Sequence, residues 1–200
     1  MTKIVQQNEL EKIVDAVKEG KLVAFPTETV YGVGIEFNNL DALERLMEAK
    51  NRDYSKAITL MVSKKEEIEK YAYVSDDTRK IINAFMPGMI TLVFNKKECV
   101  NDLMTHGKKT IGIRIPDSQF VLELLEKAGP MLVTSANLSN HPNTTTTKEV
   151  LEQLDGRIDM VVDGVANSTT ASTVVDVTGD EIKILREGII TLKDIEEVLK

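Results

Sequence analysis

The chain has 200 residues, 42% hydrophobic and 28% charged, with 25 Lys+Arg against 32 Asp+Glu, which is ample for the core of one α/β domain. No run of about 18 apolar residues exists and the opening MTKIVQQNEL lacks an apolar stretch, which argues against a membrane helix and a secretory signal. One cysteine and two histidines leave no internal disulfide and no structural zinc cluster, so a cytoplasmic protein is expected.

In chain order, a first helix is predicted over residues 9–19, with Asn8 as its cap and Gly20 as its stop. Strand-like segments follow at Leu22–Phe25 and Thr29–Ile35, separated by Pro26. A helix over Leu40–Lys50 is capped by Asn39, and Ile58–Val62 reads as a short strand. Ser75 and the two acids after it open another helix, which Pro87-Gly88 ends. Strands at Ile90–Phe94, Thr110–Ile115 and Met131–Thr134 alternate with a helix near 118–127. The run Asn143-Thr144-Thr145-Thr146-Thr147 reads as a loop feeding a helix at 147–154, and on composition it is the candidate lid. Strands near 159–163, 172–177 and 182–185 and a helix from Thr191 complete a single α/β domain, 1–200, with a twisted mixed sheet.

The charge is uneven. Residues 149–200 carry 12 Asp+Glu against 5 Lys+Arg, so the first 148 residues balance at 20 of each. A broad nucleic-acid surface is disfavoured, while a local basic pocket remains open.

Phosphate-binding GxxxxGK[ST] and GxGxxG loops and the GxSxG elbow are absent. Polar residues instead sit where a purely structural sequence would place others. In an extended chain Thr27, Thr29 and Tyr31 share one face, three hydroxyls for a small polar ligand, although β-branched residues also simply suit strands. Lys50 continues the stripe of Leu43 and Leu46, and Arg52 and Lys56 follow; the set suits a polyphosphate or merely a helix terminus. Alternation in Thr110-Ile111-Gly112-Ile113-Arg114 sends the isoleucines to one face and Thr110, Gly112 and Arg114 to the other. If buried, Arg114 needs an internal carboxylate or a bound anion. Ser135 and Asn137 follow a strand end, where α/β sheets place ligands, and Ser172 and Arg186 add a hydroxyl and a cation. His106 and His141 are read as surface loop residues and Cys99 as a packed small hydrophobe.

Taken together and in order, PTETVYG at 26–32, KNR at 50–52, PGMIT at 87–91, IRIPD at 113–117, TSANLS at 134–139, STVVD at 172–176 and LREG at 185–188 resemble the YrdC-like family of L-threonylcarbamoyladenylate synthases. The resemblance implies a twisted open sheet around a deep basic cavity. It also implies a nucleotidyltransferase that makes threonylcarbamoyl-AMP and pyrophosphate from L-threonine, bicarbonate and ATP, with Mg2+ carried on the ATP and no metal held by the protein. The product supplies t6A at position 37 of tRNA, through a separate transferase complex and with possible tRNA contact.

By that likeness Thr27, Thr29, Tyr31, Arg114 and Ser172 hold threonine. Lys50, Arg52, Lys56, Thr110, Ser135, Asn137, Asn143 and Arg186 meet ATP, and Lys50, Arg52, Ser135 and Asn137 are the catalytic set. The chain departs from the family pattern at Met89, at Asn140, at Lys56-Ala57-Ile58 and at Met61. Two other readings stand beside it: a noncatalytic RNA-binding paralogue, and a carbamoyl-transfer relative of the hydrogenase-maturation type.

Overall fold

The computed structural model describes residues 1–179 and 181–200. Its strands are β1 (Lys3–Val5), β2 (Val23–Phe25), β3 (Gly32–Glu36), β4 (Thr59–Met61), β5 (Ile90–Asn95), β6 (Thr110–Arg114), β7 (Met131–Ser135), β8 (Met160–Val162), β9 (Thr173–Asp176) and β10 (Lys183–Arg186). They form one sheet in the order β1-β8-β2-β3-β7-β4-β6-β5-β9-β10. The pairs β1·β8, β2·β8, β4·β6 and β5·β9 are parallel and the others antiparallel, which sequence alone left unsorted.

Helices α1 (Leu10–Lys18), α2 (Leu40–Ala49), α3 (Lys65–Tyr71), α4 (Asp76–Phe85), α5 (Gln119–Ala128), α6 (Thr147–Leu154) and α7 (Leu192–Leu199) flank it. On α1, Ile13, Val14 and Val17 recur at helical spacing and pack with Val121, Leu124 and Leu125 of α5 over Phe25, Met131 and Val133. The other sheet face carries Val33, Leu60, Ile111 and Ile113 under Leu43 and Leu46 of α2, Ile81 of α4 and Val150 of α6. Each such side chain, fully buried, is worth about 1.5–3 kcal/mol.

Caps explain most helix starts. Asn39 accepts from the Ala42 N–H and Ser75 from the Thr78 N–H. Thr146 and Glu149 form a reciprocal capping box at α6, and Thr191 with Asp194 repeats it at α7. The cap of α1 is Glu9, not Asn8, because the Glu9 carboxylate folds back onto the Gln6 N–H. Thr29 to Tyr31 are not strand, since β3 begins at Gly32. Three short elements escaped the sequence reading: β1, α3 and a 3-10 turn at Asp102–Thr105.

The threonine run is not a free lid. Thr144 is fully buried and donates to the Ala136 carbonyl (2.9 Å), and Thr146 bridges Val165. Cys99 is exposed, not packed, with its thiol on the Lys70 carbonyl.

Candidate active site

Facing residues on neighbouring strands share a side of the sheet. Arg114 stands opposite Met61, and Met61 opposite Met131; Gly112 and Val133 both flank Thr59. The side covered by α1 and α5 therefore continues through Thr59, Gly112 and Arg114, while Ile111 and Ile113 turn to the other core, as alternation predicted. On this stretch of sheet lies a cavity of about 160 Å³ whose lining includes Thr27, Thr29, Thr59, Met61, Thr91, Ser135, Ser172, Asn143 and the arginines 52, 114 and 186. Among the described residues no carboxylate lines it.

Arg114 is the buried anchor. Its guanidinium donates to Glu28 Oε1 at 2.6 Å and to Thr29 Oγ1 at 3.1 Å, with the two charged side chains only 6% and 9% exposed. Glu28 is the internal carboxylate that a buried Arg114 calls for, and sequence reasoning left it unnamed. It sits in PTETVYG, and the demand of a buried arginine for a carboxylate was its signal. Glu28 Oε1 also accepts the Asp117 N–H (2.9 Å), tying the loop after β2 to the end of β6. Thr27 and Thr29 hydroxyls meet at 2.9 Å. Tyr31 also lines the cavity, but its hydroxyl turns away to Thr147 Oγ1 and the Val162 and Gly164 carbonyls, because the loop is not extended as a strand.

The cationic segment follows α2. Lys50 is 1% exposed, as its place on the apolar stripe predicted, and its ammonium donates to the Ser135 and Asn137 carbonyls. Burial pushes that ammonium down from 10.5 to about 7, and the charges of Arg52 and Lys56 push the same way. Burial also lowers Arg52, whose guanidinium donates to the Ala57 carbonyl (2.7 Å). Lys56 is held by Asn140 Oδ1 (2.7 Å). Asn140 itself takes φ +66°, a left-handed turn that asparagine tolerates.

Ser135 ends β7 at the cavity wall, with Asn143 at its rim. Asn137 is buried in the turn between them, its amide donating to the Leu138 and His141 carbonyls. Thr110 begins β6 opposite Asn95 and does not reach the cavity lining. His141 is exposed, as expected.

The far wall is a hydroxyl and guanidinium relay. Thr91, a second residue that sequence reasoning left unassigned, meets Ser172 Oγ at 2.9 Å. Arg186 lies largely in solvent, yet its guanidinium chelates the Ser172 carbonyl (3.0 and 2.8 Å) and reaches Ser172 Oγ (3.1 Å). Burial of that end, and then the Arg114 charge, lower its affinity for protons. Gly188 lets the segment after β10 pass close to β9, since a Cβ there would sit 2.5 Å from the Thr173 nitrogen.

Buried polar atoms normally find partners. Among the described residues those without one are Glu28 Oε2, Arg52 Nε, His106 Nε2, Arg114 Nε, Asn137 Oδ1 and Ser139 Oγ. Most belong to the segments around the cavity, together with cations that repel one another. Such a site gains from an anionic ligand.

Gly112 provides a direct check. A Cβ there would lie 3.3 Å from Thr91 Cγ2 and 3.9 Å from Thr59 Oγ1, on the cavity side. Gly112→Val is expected to weaken binding of an anionic ligand at least about tenfold and, because the larger side chain crowds Thr91, to lower stability by about 1–3 kcal/mol. Unchanged affinity by calorimetry would move the ligand away from this wall.

The fold and site define an α/β protein with a cavity on one sheet face whose lining carries three arginines and several hydroxyls. The family profile Sua5_yciO_yrdC, described as telomere recombination, matches residues 15–188. A Methanocaldococcus jannaschii relative is 36% identical over 198 residues, covering 96% of this chain and 94% of its own. The threonylcarbamoyl-AMP synthase of Pyrococcus abyssi is 36% identical over 186 residues, 92% of this chain but 55% of its own length. The crystal structure of P. abyssi Sua5 complexed with L-threonine superposes with a TM-score of 0.93 at 32% identity, over 100% of this chain and 61% of that one. The chain belongs to the Sua5/YciO/YrdC family.

Proposed function

We propose that this protein is a threonylcarbamoyl-AMP synthase, a nucleotidyltransferase housed in one catalytic domain over residues 1–200. The observation that carries the reading is the meeting of Thr29, Arg52, Arg114, Ser135, Ser172 and Arg186 around one cavity although they are scattered along the chain. The relatives' names favour a catalytic role over a noncatalytic RNA-binding one.

The amine of L-threonine condenses with bicarbonate, losing water, to give a carbamate. A carbamate oxygen then attacks the α-phosphorus of ATP, and the bond to the bridging oxygen breaks with release of pyrophosphate. Nucleophile and leaving group both belong to the substrates, so the protein supplies positioning and charge. Arg114 and Ser172 take the threonine carboxylate, with Thr27, Thr29 and Tyr31 shaping the pocket. Lys50, Arg52 and Lys56 meet the triphosphate, Ser135 and Asn137 the reacting carbamate and α-phosphate, and Thr110, Asn143 and Arg186 the rest of the nucleotide. The cavity, at about 160 Å³, is amino-acid-sized, so the nucleotide extends across its rim.

Among the described residues no group of three or more His, Cys, Asp or Glu is placed to hold a metal ion. Mg2+ on ATP fits such a site, because it keeps most of its waters and binds substrate phosphates. Among the described residues no helix is long and apolar enough to cross a membrane. The product feeds a separate transferase that modifies tRNA to t6A, with tRNA contact at this protein left to that step, and the reaction belongs to the cytoplasm.

Purified protein with ATP, bicarbonate and L-threonine is expected to release pyrophosphate and AMP-linked product, with L-serine a poor substitute. A folded preparation that cleaves ATP equally without threonine would refute the reading.

A further inference from the structure

Arg52 and Lys56 ride on a loop with little internal support: Lys56 N–H donates to the Asp53 carbonyl (3.1 Å) and Ser55 N–H to Asp53 Oδ1 (2.7 Å). Besides the bond from Lys56 to Asn140 Oδ1, two contacts at Tyr54 and Ser55 hold it from outside. The Tyr54 ring meets the His106 ring edge-on, with centroids 5.1 Å apart at 85°. Lys108 Nζ donates to the Ser55 carbonyl at 2.5 Å. His106 is the fixed side of this contact. It closes the 3-10 turn in a left-handed conformation (φ 51°), its N–H on the Leu103 carbonyl, and its ring is half-buried rather than lying free on the surface. Tyr54 is the loop's side of the contact, 52% exposed beside Leu40, Leu43 and Leu103. Neither ring lines the cavity.

We propose that Tyr54 and His106 are a positioning pair that holds the Arg52–Lys56 loop where it meets the polyphosphate. The inference rests on the ATP-binding reading of that loop. It requires a ring at 54 but no hydroxyl, since the contact is an edge-to-face one. Because Arg52 also donates to the Ala57 carbonyl across the loop, release of Tyr54 loosens both ends together.

The test compares Tyr54→Ala, His106→Ala, the double variant and Tyr54→Phe by calorimetry with ATP and, separately, with L-threonine. Each alanine variant is expected to weaken ATP about five- to tenfold and leave L-threonine within about twofold. The double variant is expected to be no worse than either single, and Tyr54→Phe to restore ATP affinity. Unchanged ATP affinity, additive losses in the double variant, or a parallel loss of L-threonine would overturn the pairing. Amide exchange in the ligand-free protein separates this from failure of the enzymatic reading. Ser55 and Lys56 amides are expected to exchange at least about fivefold faster in Tyr54→Ala, and equal rates overturn the proposal whatever the protein does with ATP.

Discussion

Arg114→Ala is expected to bring threonine-dependent pyrophosphate release below detection and also to lower stability by about 3–5 kcal/mol. The first effect follows from the loss of the buried guanidinium that faces the cavity. The second follows from Glu28, which stays behind as a buried carboxylate whose one ion-pair partner among the described residues was Arg114. A sequence reading of Arg114 as a ligand residue alone predicts loss of activity with the fold intact; the ion pair changes that expectation. The two effects can be separated. Replacing both partners by apolar residues of similar volume, Glu28→Leu with Arg114→Met, is expected to recover most of the stability and none of the activity. Denaturant titration and the pyrophosphate assay read the two independently. Full stability in Arg114→Ala would mean that the pair is not buried in solution.

The second large effect concerns Lys50. Lys50→Met keeps the apolar stem but removes the ammonium that binds the Ser135 and Asn137 carbonyls and stands with Arg52 and Lys56. Turnover is expected to fall at least about a hundredfold, as for loss of one preorganised electrostatic contact. The pH dependence has a definite sign. Burial, aided by Arg52 and Lys56, takes the ammonium from 10.5 to about 7 on folding. The unfolded chain therefore holds more protons than the folded one between about pH 7 and 10.5, and stability rises with pH across that window by up to about 1.4 kcal/mol per unit. Below pH 7 this residue adds no slope. Urea titrations from pH 7 to 10 are expected to show the rise in the parent protein and a shallower one in Lys50→Met; equal slopes would mean that Lys50 titrates normally.

Much of this was legible in the sequence because the signals are local. Asn39, Ser75 and Thr191 announce their helices by side-chain capping, and the isoleucines of β6 announce which way Arg114 points. What was hidden depends on distant partners. Glu28 becomes a site residue only when β6 brings Arg114 beside it, 86 residues on. Tyr31 shares a sequence pattern with Thr27 and Thr29, yet its hydroxyl is claimed by the Val162 and Gly164 carbonyls. The threonine run reads as a loop feeding a helix cap, which Thr146 supplies, but no local signal announces the buried bond from Thr144 to the Ala136 carbonyl. Cys99 shows the reverse: composition favours burial, and the turn after β5 leaves it exposed.

Like-charged groups converge here and, among the described residues, no carboxylate lines the cavity, so one bound ligand cluster is what would relieve them. A crystal structure of the protein with L-threonine, bicarbonate and a non-hydrolysable ATP analogue tests this most directly. The threonine carboxylate is expected on Arg114, and the triphosphate against Lys50, Arg52 and Lys56 with its α-phosphorus beside Ser135. A nucleotide seated elsewhere, or threonine bound away from Arg114, would contradict it.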